Sequence, residues 1–190
     1  MTYTPYNAPL LAGLLGDHPT AAFFSVKAEI EAMVAFEVAL AGAQAIADII
    51  PEKSAEAIAK TLTDFETDIP ALSEATARDG VVVPELVRQM REAVGKDHAL
   101  HLHFGTTSQD VTDTSAMLRL RDCIAMLTGR LNDVCQKLET LRDADGEMPL
   151  MARTRMQQAL PITLADKIDN WHRPLESLLD ECPKRFPLQL

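Results

Sequence analysis

The strongest constraint on the fold is a run of eight apolar residues, Met117, Leu120, Ile124, Leu127, Leu131, Val134, Leu138 and Leu141, whose spacing alternates between three and four without a break. A strand, with its period of two, would scatter these side chains over both faces, whereas a helix gathers them into one stripe. Thr107 and Asp110 stand three apart, as in a capping box, and Asp145-Gly146 closes the other end. The stretch therefore predicts one helix of about 36 residues, roughly 54 Å long. No other segment is long enough to cover that stripe, so the expectation is that identical chains pack along it, or that the sequence is the N-terminal part of something longer.

The remaining segments point to the same all-α class. Aromatics are only 5% of the chain, and most glycines and prolines fall between the periodic stretches. Ser25 can cap a helix running to about Ile49, Pro51 can open another through Leu62, and a third should begin near Pro70. A fourth spans Pro84 to Val94 and stops at Gly95. After a loop around Pro149, a last helix is expected from Pro161 to about Glu181, bent by the Pro174 inside it.

Composition narrows the function. Eighteen basic against 28 acidic residues give a formal charge of -10, which opposes binding to nucleic acid or to an anionic membrane surface, since both need a dominant cationic face. Cys123, Cys135 and Cys182 are odd in number and lack C-x-x-C spacing, so the chain reads as cytoplasmic, without a disulfide framework or a zinc site. No apolar run reaches membrane-spanning length. No nucleotide-binding fingerprint, nucleophile elbow or H-E-x-x-H occurs.

Two short segments can carry chemistry. His101-Leu-His-Phe-Gly-Thr-Thr-Ser-Gln-Asp110 delivers Thr107, Ser108 and Gln109 onto the start of the long helix, where unpaired N–H groups and the helix dipole favour a carboxylate or phosphate. The plainer alternative is that Thr107 and Ser108 only cap that helix. In Ala152-Arg153-Thr154-Arg155-Met156-Gln157-Gln158, extended backbone would place Arg153, Arg155 and Gln157 on one side, a row suited to a substrate with several carboxylates. Its alternative is an exposed basic turn that pairs with the surplus acid. No nearby cysteine or clearly placed carboxylate completes a ligand set for His98, His101 and His103, so no metal is expected.

Together, His103-Phe-Gly-Thr-Thr-Ser-Gln-Asp-Val-Thr-Asp-Thr114 and Arg153-Thr-Arg-Met-Gln-Gln-Ala-Leu-Pro161 resemble the fumarase/aspartase superfamily. Phe24-Ser25, Phe36-Glu-Val-Ala-Leu-Ala41, Ile50-Pro51 and Phe186-Pro-Leu-Gln189 bring the likeness nearest to its cycloisomerase branch. The resemblance implies an N-terminal helical domain over 1–106 and part of a central helical bundle over 107–190. It further implies a homotetramer with active sites built from three subunits, no cofactor, and a small polycarboxylate substrate.

Thr107, Ser108, Gln109, Arg153, Thr154 and Gln157 are then the substrate-binding candidates. Arg155 stands where the amine-releasing members carry a histidine that assists the leaving group. The serine that serves as base in the superfamily belongs to a later flexible loop, which this sequence does not include. The implied reaction is interconversion of 3-carboxy-cis,cis-muconate and carboxymuconolactone, a step of aromatic degradation, in a chain expected to be truncated. Two alternatives remain: a superfamily lyase such as adenylosuccinate lyase, and a non-catalytic helical oligomerisation fragment.

Overall fold

The computed structural model describes residues 10–182; the Phe186–Gln189 stretch lies outside them. Two short helices, α1 (Ala12–Leu15) and α2 (His18–Ala22), lead into α3 (Val26–Ile46), whose first turn is capped by the Ser25 hydroxyl accepting from the Ala28 N–H. Helix α4 (Glu52–Thr63) follows Pro51, and α5 (Ile69–Asp79) is capped by the Asp68 carboxylate and ended by Gly80 at φ +75°. Next come α6 (Val83–Val94), a single 3-10 turn (Ala99–His101) and α7 (Ser108–Asp145). The long helix of the sequence reading thus starts and stops where its caps predict.

The described residues form two compact units, one running to Leu120 and the other starting at Arg121. In the first, α3, α4, α5 and α6 pack around a core that includes Met33, Ile58, Leu86 and Met90, all fully buried. Burying each such side chain contributes about 1.5–3 kcal/mol. Leu102 and Val111 enter the same core at 1% and 0% exposure. The segment between them, which carries the first motif, is therefore pinned at both ends.

The second unit contains most of α7, a β-hairpin and α8 (Leu164–Glu181). Ile168 of α8 is fully buried, and Cys123 and Cys135 of α7 are buried as free thiols. Arg142 pairs with Asp169 at 2.8 Å, and His172 Nε2 lies 3.2 Å from Glu139, which ties α8 to α7. Leu127, Val134 and Leu141 of the heptad stripe remain more than 40% exposed.

The fold is all-α apart from that hairpin, which corrects the expected loop around Pro149. Strand β1 (Pro149–Thr154) pairs antiparallel with β2 (Gln157–Thr163), from Pro149 opposite Thr163 to Thr154 opposite Gln157, with an irregularity between Met151 and Arg153. Arg155 and Met156 make the turn at φ +38° and +71°, the left-handed pair that two-residue hairpins use and that Asn-Gly normally announces. Arg-Met carries no such announcement. Pro161 accordingly sits in β2, and α8 begins three residues later, where Thr163 and Asp166 form a capping box.

Candidate active site

The first motif is built by a loop held from behind. Arg91 of α6 donates to the Leu102 carbonyl at 2.9 Å, and the Gln44 amide of α3 donates to the Phe104 carbonyl at 2.6 Å. Between these, His103 Nδ1 lies 2.6 Å from Oε1 of Glu37, a residue of α3 with no side-chain exposure. His103 itself adopts φ +58°, and Gly105 φ +69°. Two left-handed residues so close together turn the chain sharply into α7.

At that helix start the capping box forms as the sequence predicts. The Asp110 carboxylate accepts from the Thr107 N–H at 2.8 Å and from both the Thr107 and Thr106 hydroxyls, while the Asp110 N–H reaches the Thr107 hydroxyl at 3.4 Å. These donors, the Thr107 N–H foremost, hold the Asp110 carboxyl below the usual aspartate range. The Thr107 side chain is therefore engaged in capping. The exposed Gln109 side chain is engaged along the helix as well, its amide donating to Asp113 at 2.6 Å. What the helix start offers to a ligand is the N–H groups of Ser108 and Gln109 and the Ser108 hydroxyl, none of which has a protein partner among the described residues.

The second motif lies in the other unit, on the hairpin. Extended backbone does not place Arg153, Arg155 and Gln157 in a row, because the turn intervenes: Arg153 is on β1 opposite Gln158, Arg155 is at the tip, and Gln157 is on β2 opposite Thr154. That expectation is corrected by the same Arg155-Met156 turn. All of Arg153, Thr154, Arg155 and Gln157 are exposed. Neither Arg153 nor Arg155 forms an ion pair among the described residues, although the chain carries ten more acidic than basic groups. Two uncompensated guanidiniums on one short hairpin suit a ligand with several carboxylates.

The histidines go separate ways: His103 to Glu37 and His98 Nδ1 to the Ser54 hydroxyl at 3.0 Å. No grouping of three or more potential metal ligands occurs among the described residues, and none of their helices is long and apolar enough to cross a membrane. A concavity beside α3 and α4 includes Asp48, Glu52 and Glu56 in its lining and no residue of either motif. Its acidic rim is wrong for a polycarboxylate.

Sequence reasoning missed Glu37, Gln44 and Arg91. Glu37 left a signal, however. It falls four residues after Met33 and four before Ala41, on the buried face of α3, where a carboxylate needs a partner. Gln44 and Arg91 carry no such mark, because their targets are backbone carbonyls.

The first unit thus presents free first-turn amides and the second an arginine hairpin, groups of the kind that bind carboxylates. Comparison with known proteins makes this specific. The profile of the Lyase family matches residues 18–182. The 3-carboxy-cis,cis-muconate cycloisomerase of Acinetobacter baylyi is 35% identical over 177 residues, covering 90% of this chain and 39% of its own length. Adenylosuccinate lyase of Methanothermobacter thermautotrophicus is 35% identical over 165 residues, covering 83% of this chain and 36% of its own. The crystal structure of beta-carboxy-cis,cis-muconate cycloisomerase from Acinetobacter calcoaceticus superposes with a TM-score of 0.86 at 33% identity, over 90% of this chain and 41% of that one. The chain belongs to the Lyase family, with the fumarase/aspartase fold, and spans about two fifths of the length of these relatives.

Proposed function

We propose that this chain supplies the substrate-carboxylate contacts of a cycloisomerase that interconverts 3-carboxy-cis,cis-muconate and carboxymuconolactone. The observation that carries this reading is Arg155 at the hairpin tip. A guanidinium stays protonated at working pH and cannot serve as a general acid. In lactone opening the leaving group is a carboxylate, a weak base that departs without a proton. Expulsion of an amine does need one.

In the lactonising direction a carboxylate oxygen of the substrate bonds to one alkene carbon, and the electron pair moves onto the carbon alpha to a second carboxylate. The Ser108 and Gln109 N–H groups, the Ser108 hydroxyl and Arg153 are the groups to stabilise that charge, with Thr107 holding the helix start and Thr154 and Gln157 supporting the hairpin. The proton that completes the addition is assigned to the superfamily's flexible-loop serine, in the part of the relatives that this chain does not span. The two motifs meet across subunits of a homotetramer in this reading.

Adenylosuccinate cleavage is the second reading, favoured by a relative of equal identity and opposed by Arg155. Ultraviolet assays with each substrate decide between them, using both the 190-residue chain and a version extended to the relatives' length. The extended version is expected to consume the muconate and leave adenylosuccinate intact. The 190-residue chain should be slower by about 100- to 10,000-fold, the usual cost of a missing proton donor. Cleavage of adenylosuccinate alone would reverse the assignment.

A further inference from the structure

Glu37 is the least expected group in the first unit. It is a carboxylate with no side-chain exposure, its Oε1 is 2.6 Å from His103 Nδ1, and its Oε2 has no hydrogen-bond partner among the described residues. Removing a carboxylate from water costs several kcal/mol unless close partners compensate, and among the described residues the one partner is a ring nitrogen. A packing role would be served as well by an apolar residue of similar volume. The pair also holds a residue in the left-handed region, φ +58°, a conformation that costs an L-residue about 1–2 kcal/mol.

With Nδ1 committed to Glu37, Nε2 is the ring nitrogen left for a ligand, and the ring is 17% exposed. His103 stands four residues before Thr107 in the pinned loop. The ring also lies near enough to Asp110 for a positive charge on it to favour that carboxylate. We propose that Glu37 is a positioning residue for the site at the start of α7: it orients His103 so that, in the imidazolium form, Nδ1–H donates to Glu37 and Nε2–H donates to a substrate carboxylate beside the Ser108 and Gln109 N–H groups. The inference rests on the carboxylate-binding reading of that helix start and adds to it a second group, His103, held by the buried Glu37 carboxylate.

The test is nuclear magnetic resonance of the 190-residue chain, labelled with 15N and titrated with tricarballylate as the probe. The expected result is that the His103 ring resonances and the Ser108 and Gln109 amides shift together with one dissociation constant, and that Glu37→Gln weakens it at least threefold. His103→Asn, which tolerates a left-handed backbone, should weaken it to the same extent, so the test holds even where Glu37→Gln fails to fold. The double variant should bind like His103→Asn alone, since a positioning residue has no effect once its target is gone. Amide shifts at Ser108 and Gln109 with an unmoved His103 ring would overturn the inference and leave the carboxylate site standing. Additive losses in the double variant would overturn it as well. If no resonance moves, the carboxylate site falls and the inference with it.

Discussion

Asp110 organises the start of α7 by gathering donors from the residues just before it. Its three donors, Thr107 N–H, Thr107 hydroxyl and Thr106 hydroxyl, favour the charged form and hold its pKa below the ordinary value. A carboxyl whose folded pKa is depressed contributes stability that is complete above the unfolded pKa and is lost as pH falls through the folded one. For Asp110 that window lies below about pH 4. Asp110→Asn removes the titration, so the variant should be less stable at pH 7 yet lose less on acidification from pH 5 to pH 2. Urea melts at several pH values check this, and parallel profiles for the two proteins would contradict it. The Thr107–Asp110 spacing made this cap legible in the sequence. The Glu37–His103 pair was not, because it joins positions 66 apart and only the packing of the loop against α3 brings them together.

At the scale of elements, local signals and tertiary ones separate cleanly. Every α-helix from α3 to α7 starts within two residues of a capping residue or proline seen in the sequence, because caps satisfy the first-turn N–H groups from nearby atoms. The hairpin was illegible for the opposite reason. Its turn residues are Arg155 and Met156, and both bear side chains where glycine or asparagine would be comfortable. Left-handed backbone at non-glycine residues is a cost that functional segments retain. Relieving it at the residue that carries no proposed contact should stabilise the protein without harming the site. Met156→Gly is therefore expected to raise stability by about 1 kcal/mol, or roughly 2–4 °C in melting temperature, and to leave substrate affinity unchanged. A lower melting temperature would show that the exposed Met156 side chain has a partner in the assembled protein.

For the whole molecule, the heptad stripe governs. Three of its eight residues, Leu127, Val134 and Leu141, stay more than 40% exposed on α7, and burying a leucine or valine of that kind contributes about 1.5–3 kcal/mol. Self-association follows: sedimentation should show dimers or larger species at micromolar concentration. A well-folded monomer with no concentration dependence would leave the stripe unexplained. The substrate choice is the part of the function least visible in single residues, since relatives of equal identity carry different names. In the proposed reading it turns on Arg155 and Arg153, neither of which forms an ion pair among the described residues.

The most direct measurement is the steady-state kinetics of Arg153→Ala in the version extended to the relatives' length, following the ultraviolet absorbance of 3-carboxy-cis,cis-muconate. Removing a guanidinium from a charge-assisted carboxylate contact costs about 2 kcal/mol, which corresponds to a fall of roughly 30-fold in kcat/KM. That fall, with an unchanged melting temperature, is the expected result. Unchanged kinetics would mean that the hairpin is an exposed basic turn and that the substrate carboxylates are held elsewhere.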